Sequence, residues 1–134
     1  MSENLFKAIY AKFIAAPANT FYTATGGRLE YGRAPESWSD NFAVMFGSSI
    51  EPDDTFGGII EDVYFQISVF SSVRSTCWGL LDKCKTLFNN TTLTVTGHYP
   101  ATLRRETQTP PVLDEKANLY MATIDFFCKL QPSS

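Results

Sequence analysis

The sequence predicts an α+β fold: a mostly antiparallel sheet of four to five strands with two helices packed on one of its faces. Three observations lead to this fold class. Two segments carry apolar residues at spacings of three and four, which is the period of a helix. Several others alternate apolar and polar residues, which is the period of a strand, and turn-rich stretches join them. A chain of 134 residues can bury one core, so we expect a single domain over residues 1–134.

The first helix is predicted over residues 3–16. Ser2 precedes it as the expected N-cap, because its hydroxyl can accept a hydrogen bond from a backbone N–H of the first turn. Ala16 is followed by Pro17, and the residue before a proline is driven out of the helical conformation, so the helix should end there. A loop rich in Asn, Thr and Gly is expected next. The apolar stripe of this helix comprises Leu5, Phe6, Ile9, Tyr10, Phe13 and Ile14.

The second helix is predicted over residues 73–88, with Ser71 or Ser72 as its cap. Cys77 and Cys84 lie two turns apart on it, or about 10 Å at the helical rise, which exceeds the roughly 7 Å Cα separation that a disulfide tolerates. The chain has three cysteines, an odd number, and all three fall on apolar faces. We therefore expect reduced, inert core thiols. The stripe of this helix comprises Val73, Cys77, Leu80, Cys84 and Leu87.

Strand patterns fill most of the remaining chain. In the clearest one Val63, Phe65, Ile67 and Val69 point to one face and polar residues point to the other. The last strand repeats this pattern with Tyr120, Ala122, Ile124, Phe126, Cys128 and Leu130. The order of elements favours an antiparallel meander with both helices on one side. Strands are predicted over about residues 28–31, 42–50, 59–70 and 119–130. Residues 92–99 and 101–108 are strand material that is interrupted at Gly97 and Pro100, and residues 109–118 are predicted to be a turn-rich connection.

Charge and segment composition exclude several classes. The net charge of −3 argues against a nucleic-acid coat protein, which needs clustered cations to displace counterions from phosphates. The first residues lack the apolar core of a signal peptide, and no segment has the roughly 20 apolar residues that cross a bilayer. We expect a soluble intracellular protein with no membrane partner.

No motif in the chain predicts an enzyme. The stretch GGRLEYGRAP, residues 26–35, lacks the glycine spacing of a dinucleotide fingerprint and the Gly-Lys-Ser/Thr of a P-loop. Gly26 and Gly27 are expected to supply positive φ before a strand. His98, the only histidine, has no partner of a catalytic triad beside it. The acidic run EPDDTFGG, residues 51–58, lacks the ligand spacing of an EF-hand, so a solvated hairpin tip is expected rather than calcium binding. We expect no catalytic residue, no metal site and no cofactor.

The ordered elements from Leu5 to Leu130 resemble the tail-terminator (tail completion) family of long-tailed double-stranded-DNA bacteriophages. Its relatives often carry Pro-Tyr or Pro-Phe where the first long strand begins, whereas this chain has Asn41-Phe42, so the start of that strand departs from the pattern. The resemblance rests on the helix LFKAIYAKFI, the elbow GGRLEYGRAP, the strand NFAVMFGSS, the strand-helix junction VYFQISVFSSVRSTCWGLLDKCKTLF and the closing strand LYMATIDFFCKL.

The resemblance implies a structural virion protein. Such proteins form a homo-hexameric ring that caps the head-proximal end of the tail tube, stops tube polymerisation and provides the surface that joins head and tail. The implied partners are the tail tube protein and a head-completion or neck protein, and DNA passes through the ring without specific binding. The implied location is the tail of the virion, assembled in the host cytoplasm. Two alternatives remain: a head-completion or neck connector of the same fold, and a small monomeric binding module with a concave apolar groove built from residues 31–46.

Two groups of residues are candidates for the ring. The chain is rich in aromatic residues, with 11 Phe, 6 Tyr and 2 Trp, and those in loops and edge strands either pack between subunits or close the core of one subunit. The subunit-interface candidates are Arg28, Tyr31, Arg33, Trp38, Phe42, Phe46 and Phe56. Carboxylates that repel phosphates would keep DNA from sticking to the pore. The lumen-facing candidates are Glu51, Asp53, Asp54, Asp114 and Glu115.

Overall fold

Three helices and seven strands form in the computed structural model, which describes residues 3–15, 17, 19–53 and 60–133, with the backbone alone at 48, 49 and 51–53. The helices are α1 (Glu3–Ile14), α2 (Thr20–Thr25) and α3 (Arg74–Phe88). The strands are β1 (Leu29–Tyr31), β2 (Phe42–Asp53), β3 (Ile60–Ser71), β4 (Thr92–Leu93), β5 (Ala101–Thr102), β6 (Arg104–Asp114) and β7 (Leu119–Leu130). This is an α+β fold, as the sequence predicts. Ser2 and Ala16, the expected cap and end of the first helix, lie outside the described residues.

Five strands form one sheet in the order β1-β2-β3-β7-β6. Strand β1 is parallel to β2, and the other neighbours are antiparallel. Strands β3 and β7 pair without a register shift, whereas β2 shifts by one residue against β3 between Gly47 and Ser49. Val44 faces Ser68 on β3, and Ser68 faces Thr123 on β7. Strands β4 and β5 form a separate two-stranded sheet. Among the described residues, no helix is long and apolar enough to cross a bilayer.

The core lies on one face of the five-stranded sheet, hereafter the inner face. The alternation predicted for the two central strands is confirmed, because Phe65, Ile67, Ile124 and Phe126 are all fully buried there. Rings stack across the strands, with the Phe65 and Phe126 centroids 5.4 Å apart. Helices α1 and α3 cover this face with one buried stripe each, and full burial of a large apolar side chain contributes about 1.5–3 kcal/mol. These helical residues are Leu5, Ile9, Phe13, Cys77, Leu80, Leu81, Cys84 and Phe88.

Helix α2 was not predicted, because its sequence, TFYTAT, is poor in strong helix formers and follows a run typical of loops. Capping and burial compensate for the weak propensity. The side chain of Asn19 accepts a hydrogen bond from the backbone N–H of Tyr22 at 2.7 Å, which satisfies the first turn. Gly26 closes the helix in the left-handed conformation, with φ of 63°. Phe21 is fully buried against Phe13, at a centroid distance of 5.6 Å.

The predicted serine cap of α3 is wrong. The helix begins at Arg74, and Val73 occupies the N-cap position without a side-chain hydrogen bond. Ser72 instead donates both its backbone N–H and its hydroxyl to the carboxylate of Asp40, each at 2.8 Å. A hydrogen bond to an ionised carboxylate is stronger than a neutral one, so this tertiary contact holds Ser72 before the start of the helix. Val73, assigned to the buried stripe, is 51% exposed as a consequence of its place outside the helix.

The connection predicted over residues 109–118 is largely a strand. Strand β6 continues to Asp114, and only the turn before Leu119 is irregular. Two register shifts, between Arg105 and Thr107 and between Thr109 and Val112, accommodate Pro110 and Pro111. Prolines are tolerated in this way at the edge of a sheet, where a missing N–H leaves no neighbouring strand unpaired.

Candidate interaction surface

The glycine-arginine elbow turns the chain from α2 into β1 and then ties down the following loop. Gly26 and Gly27 both have positive φ, of 63° and 76°, as expected for residues before this strand. The Arg28 guanidinium donates hydrogen bonds to the backbone carbonyls of Asp40, at 2.9 Å, and Asn41, at 3.2 Å. These bonds fix the far end of the loop formed by residues 32–41, hereafter the cover loop, above the start of β2. Arg28 therefore serves its own subunit.

Asp40 fastens the same loop to the start of α3. Its partial burial opposes ionisation, but hydrogen bonds from the backbone and hydroxyl of Ser72, the backbone of Asn41 and the hydroxyl of Ser71 outweigh that effect. The pKa of Asp40 consequently lies below its ordinary value. The cover loop is thus held at its base by Arg28 and Asp40 together.

The outer face of the sheet, opposite the helices, carries a small apolar cluster under the cover loop. The ring of Phe42 stacks on Phe70, with centroids 4.8 Å apart and an interplanar angle of 14°, and Trp38 packs on Phe42 at 5.8 Å. Val44 and Leu119 complete the cluster. Of the interface candidates, Phe42 is only 6% exposed. Phe42 and Trp38 therefore help to close the structure of a single copy.

Beside this cluster lies an open apolar groove of about 700 Å³, hereafter the outer groove. One wall is the start of the cover loop, residues 32–34, and the other is the β6–β7 turn, residues 114–117. Its floor is mainly apolar, with Gln66 and Ser68 as polar groups. The apolar floor residues are Phe42, Val44, Phe46, Phe70 and Met121. A concave apolar surface in residues 31–46 is what the binding-module alternative requires, and the structure contains one.

Charged side chains stand on both walls of the outer groove. Arg33 pairs with Glu36 at 3.7 Å, but both side chains are highly exposed, so the pair contributes little. Lys116 and Asp114 stand on the opposite wall. The Asp114 carboxylate accepts hydrogen bonds from the backbone N–H groups of Lys116, at 3.1 Å, and Ala117, at 3.4 Å, which shapes the turn. Glu115, the neighbouring lumen candidate, is exposed.

Two of the predicted aromatic candidates remain accessible. Phe46 is 37% exposed at the end of the groove floor, and Tyr31 is 42% exposed on β1. The Tyr31 ring also meets Phe6 of α1 edge-on, at a centroid distance of 5.0 Å. Phe56 lies outside the described residues. Among the aromatic candidates that the structure describes, only Phe46 is therefore both exposed and part of the outer groove.

The acidic candidates fall into two groups at opposite ends of the sheet. Asp114 and Glu115 lie at the groove end. Glu51 and Asp53 lie at the far end of β2, opposite Asp62 and Ile60 of β3. Asp54 lies outside the described residues. Placement of either group in a lumen stays a prediction.

The cysteine thiols and the histidine lie outside the outer groove, and their surroundings explain their state. Burial raises the pKa of Cys77 to about 11 and that of Cys128 to about 12, and it raises the pKa of the fully buried Cys84 as well. The expected burial of all three thiols in the core is confirmed. His98 lies in a turn, where its Nδ1 is 3.0 Å from the carbonyl oxygen of Thr96. Within the part of the chain that the structure describes, no group of three or more His, Cys, Asp or Glu side chains is arranged to hold a metal ion.

Sequence reasoning found the cover-loop wall of the groove but missed the other one. Residues 114–117 lie about 80 residues away in the chain, and only the pairing of β6 with β7, and of β7 with β3, brings them to this place. No local sequence pattern predicts such a long-range contact. The Asp40–Ser72 contact escaped prediction for the same reason.

Comparison of the fold identifies solved structures that share it. A chain in the structure of the virion of a native gene transfer agent particle superposes with a TM-score of 0.81 and 14% identity, covering 95% of this chain and 94% of that chain. This chain therefore shares its fold with that chain of the virion structure. A second solved protein matches with a TM-score of 0.68 and 12% identity, over 100% of this chain and 99% of its own. No protein-family profile and no curated protein sequence matches the chain.

Proposed function

We propose that this chain is a structural virion protein of the tail-terminator kind, which forms a ring, expected to be a hexamer, on the head-proximal end of a phage tail tube. The observation that carries the proposal is the fold shared with the gene transfer agent virion chain over nearly the whole length of both chains. The ordered sequence elements that resemble tail terminators favour this position in the virion. The proposed partners are the tail tube protein on one side and a head-completion or neck protein on the other.

The outer face supports a role in assembly. A ring of identical subunits needs two different, complementary patches on each copy, because every subunit uses one patch toward each neighbour. The outer groove, with Phe46 accessible at its end, is an unfilled apolar surface of this kind. The ring is structural in this proposal: it requires no catalytic step and no cofactor.

The charge of the chain agrees with the passage of DNA through the ring. The net charge of −3 gives each copy a surplus of carboxylates, and repulsion of phosphates acts over about 10 Å at 0.1 M salt. Either acidic group described above can face the lumen in a ring. A ring whose narrowest rim is basic would contradict this part of the proposal.

Electron microscopy of purified tail tubes mixed with the chain tests the function. We expect added density at one end of each tube and an arrest of tube elongation when monomeric tube protein is supplied. Tubes incubated without the chain provide the control for length. An unchanged length distribution and bare tube ends, at concentrations above that of the tube ends by a wide margin, would contradict the proposal.

Two alternatives remain distinguishable in the same preparation. A head-completion or neck connector would bind isolated heads and leave tail tubes unaltered. The binding module is favoured by one observation, the concave apolar outer groove. It predicts a chain that stays monomeric in the presence of tubes and takes up an apolar dye in the groove, with the uptake abolished when Met121 on the groove floor is replaced by a charged residue.

A further inference from the structure

We propose that the outer groove of one copy receives Trp78 of a second copy, so that helix α3 of each subunit lies against the outer face of its neighbour's sheet. This inference rests on the proposed ring and names the second of the two patches that a ring requires. This second patch, hereafter the tryptophan patch, consists of Trp78 with Arg74 and Asp82, which lie one turn before it and one turn after it on α3.

Trp78 is a large apolar side chain that its own copy leaves accessible. It is 42% exposed, and its indole N–H makes no hydrogen bond among the residues that the structure describes. Tryptophan is mostly buried in folded proteins, and at the centre of an interface it is among the residues that contribute most to binding. Trp78 is therefore a candidate for burial against a second chain.

The tryptophan patch lies on the side of α3 that is turned toward β6. Arg74 is placed over the ring of Tyr120, 5.2 Å from its centroid. Tyr120 is the register partner of Leu113 on β6, and Leu113 is itself exposed. Residues four apart share a face of a helix, so Trp78 lies on the same side as Arg74. The opposite side of α3, at Lys83, lies beside α2.

The floor of the outer groove matches an indole ring. It is mainly apolar, and Phe46 is accessible at its end. Of its two polar groups, the hydroxyl of Ser68 is already engaged by that of Thr123 at 3.2 Å. The side chain of Gln66 makes no hydrogen bond among the described residues, so its amide oxygen can accept the bond that the indole N–H lacks. An apolar floor with one free acceptor suits a side chain that is apolar apart from one donor.

The net charges of the two surfaces have opposite signs. Helix α3 carries three cations and one carboxylate, which gives it a net charge of +2. The groove walls, together with the Glu36 that pairs with Arg33, carry two cations and three carboxylates, which gives them a net charge of −1. Opposite charges favour the encounter of α3 with the groove over an encounter of two helices or of two grooves.

The two patches cannot meet within one molecule. Helix α3 packs on the inner face, and the outer groove opens on the opposite face, so the sheet lies between them. The contact must therefore form between copies, and because the patches differ it is heterologous. Contacts of this type generate a ring when their rotation closes. Each sheet is then covered by its own helices on one face and by a neighbour's α3 on the other.

The free edge of the sheet is a poorer route to association. Strand β6 is exposed along its length, but it carries Pro110 and Pro111 and two register shifts. These features hinder the addition of a further strand. A side chain that enters the outer groove needs no free strand edge.

Two variants, each lacking one patch, test the proposal. Trp78→Glu leaves the groove intact, and Phe46→Glu leaves the tryptophan patch intact. Each variant alone should self-associate at least about tenfold more weakly than the wild type, because a carboxylate replaces an aromatic side chain in the contact. An equimolar mixture contains one intact pair of patches, so it should form dimers that cannot extend to rings. Sedimentation velocity across a concentration series, with and without tail tubes, measures all of these samples.

The matched control is Thr76→Glu, which adds the same charge to an exposed residue on the opposite side of α3 and should associate as the wild type does. Melting temperatures of the monomers show whether each variant folds. Trp78→Ala, which removes the indole without adding a charge, repeats the test should the Glu variant fail to fold.

The outcomes separate the inference from the proposed function. Wild-type assembly by the Trp78 variants, or a mixture that contains monomers alone or complete rings, overturns the inference, and tube capping by the wild type then leaves the proposed function standing. A groove variant that self-associates normally but no longer binds tube ends assigns the groove to the tube protein and also overturns the inference. A wild-type chain that assembles through these patches but leaves tube ends bare refutes the proposed function and retains the inference. A wild-type chain that neither associates nor binds tubes refutes both.

Discussion

The two faces of the five-stranded sheet differ in how much of their surface one molecule uses. On the inner face every central position is apolar and fully buried, as Ile67 and Ile124 illustrate. On the outer face the cross-strand rows change from apolar, at Phe42, Phe70 and Met121, to charged, at Asp62 and Lys129. The inner face is thus buried within a single copy, whereas the outer face is covered only at the end where the cover loop lies.

This difference separates folding from assembly. The inner face supplies the contiguous buried core, so substitutions there should act on stability first. The outer face combines an open groove with an accessible Phe46, and a stable monomer requires neither of them. Substitutions there should act on association first. Single substitutions on each face test whether stability and association divide between the faces in this way.

The largest effect is expected from Phe126→Ala on the inner face. Phe126 is fully buried between Phe65 and Phe88, at centroid distances of 5.4 Å and 6.2 Å, so truncation leaves a cavity and should cost about 3–5 kcal/mol of unfolding free energy. Urea denaturation at low protein concentration measures the loss. The adjacent Phe127→Ala is the matched control, since Phe127 is half-buried on the outer face. Equal losses for the two variants would break the distinction between the faces.

An intermediate effect is expected from Arg28→Gln, which removes the charged tether of the cover loop. The hydrogen bonds to Asp40 and Asn41 have a charged donor, and a bond of that kind contributes about 1.5–3 kcal/mol, less here because Arg28 is only half-buried. We expect a loss of about 1–2 kcal/mol, with faster amide exchange confined to residues 32–41. Arg33→Gln, which removes an exposed charge of the same loop, should change the unfolding free energy by no more than about 0.5 kcal/mol. Unaltered exchange in the Arg28 variant would show that the loop is held by other contacts.

The inner face is the part of the fold that sequence predicts well. Alternation along β3 and β7 and the helical stripes of α1 and α3 are direct consequences of burial on one side, and burial is what the spacing of apolar residues records. The three cysteines were assigned to the core on the same basis, and all three are buried.

Features that depend on distant partners escaped prediction. Ser72 has the chemistry of a helix cap, yet the carboxylate of Asp40, 32 residues earlier, takes both of its donors. Pro110 and Pro111 suggested a loop, whereas an edge position with register shifts accepts them in a strand. The second wall of the outer groove was missed for both reasons. It is distant in sequence from the first wall, and it is formed by the turn after β6, a strand that was predicted to be partly a connection.

A smaller effect, dependent on pH, is expected at the base of the cover loop. The pKa of Asp40 is lower in the folded chain than its ordinary value, so the carboxylate stabilises the fold above about pH 4, and this contribution is lost as the pH falls through the folded pKa. Asp40→Asn should therefore cost about 1 kcal/mol near pH 7, and the gap to the wild type should narrow below pH 4. Unfolding free energies measured between pH 2.5 and 7 check the sign. Asp82→Asn, on an exposed residue of α3, should give no such convergence. A gap that widens in acid would contradict the role of the ionised carboxylate.

The smallest effect on stability, and the sharpest test of the comparison, is expected from Phe46→Ser. The ring is 37% exposed at the end of the groove floor, so its removal should change the unfolding free energy of the monomer by no more than about 1 kcal/mol. If the outer face serves assembly, the same change should weaken self-association and tube capping by about tenfold or more, because an aromatic side chain that becomes buried in an interface can contribute more than about 1 kcal/mol. Val112→Ser, which removes an even more exposed side chain from the free edge of β6, is the control and should alter neither property. A Phe46 variant that caps tubes normally would mean that the open end of the groove is not an interface, and the contrast between the faces would then describe folding alone.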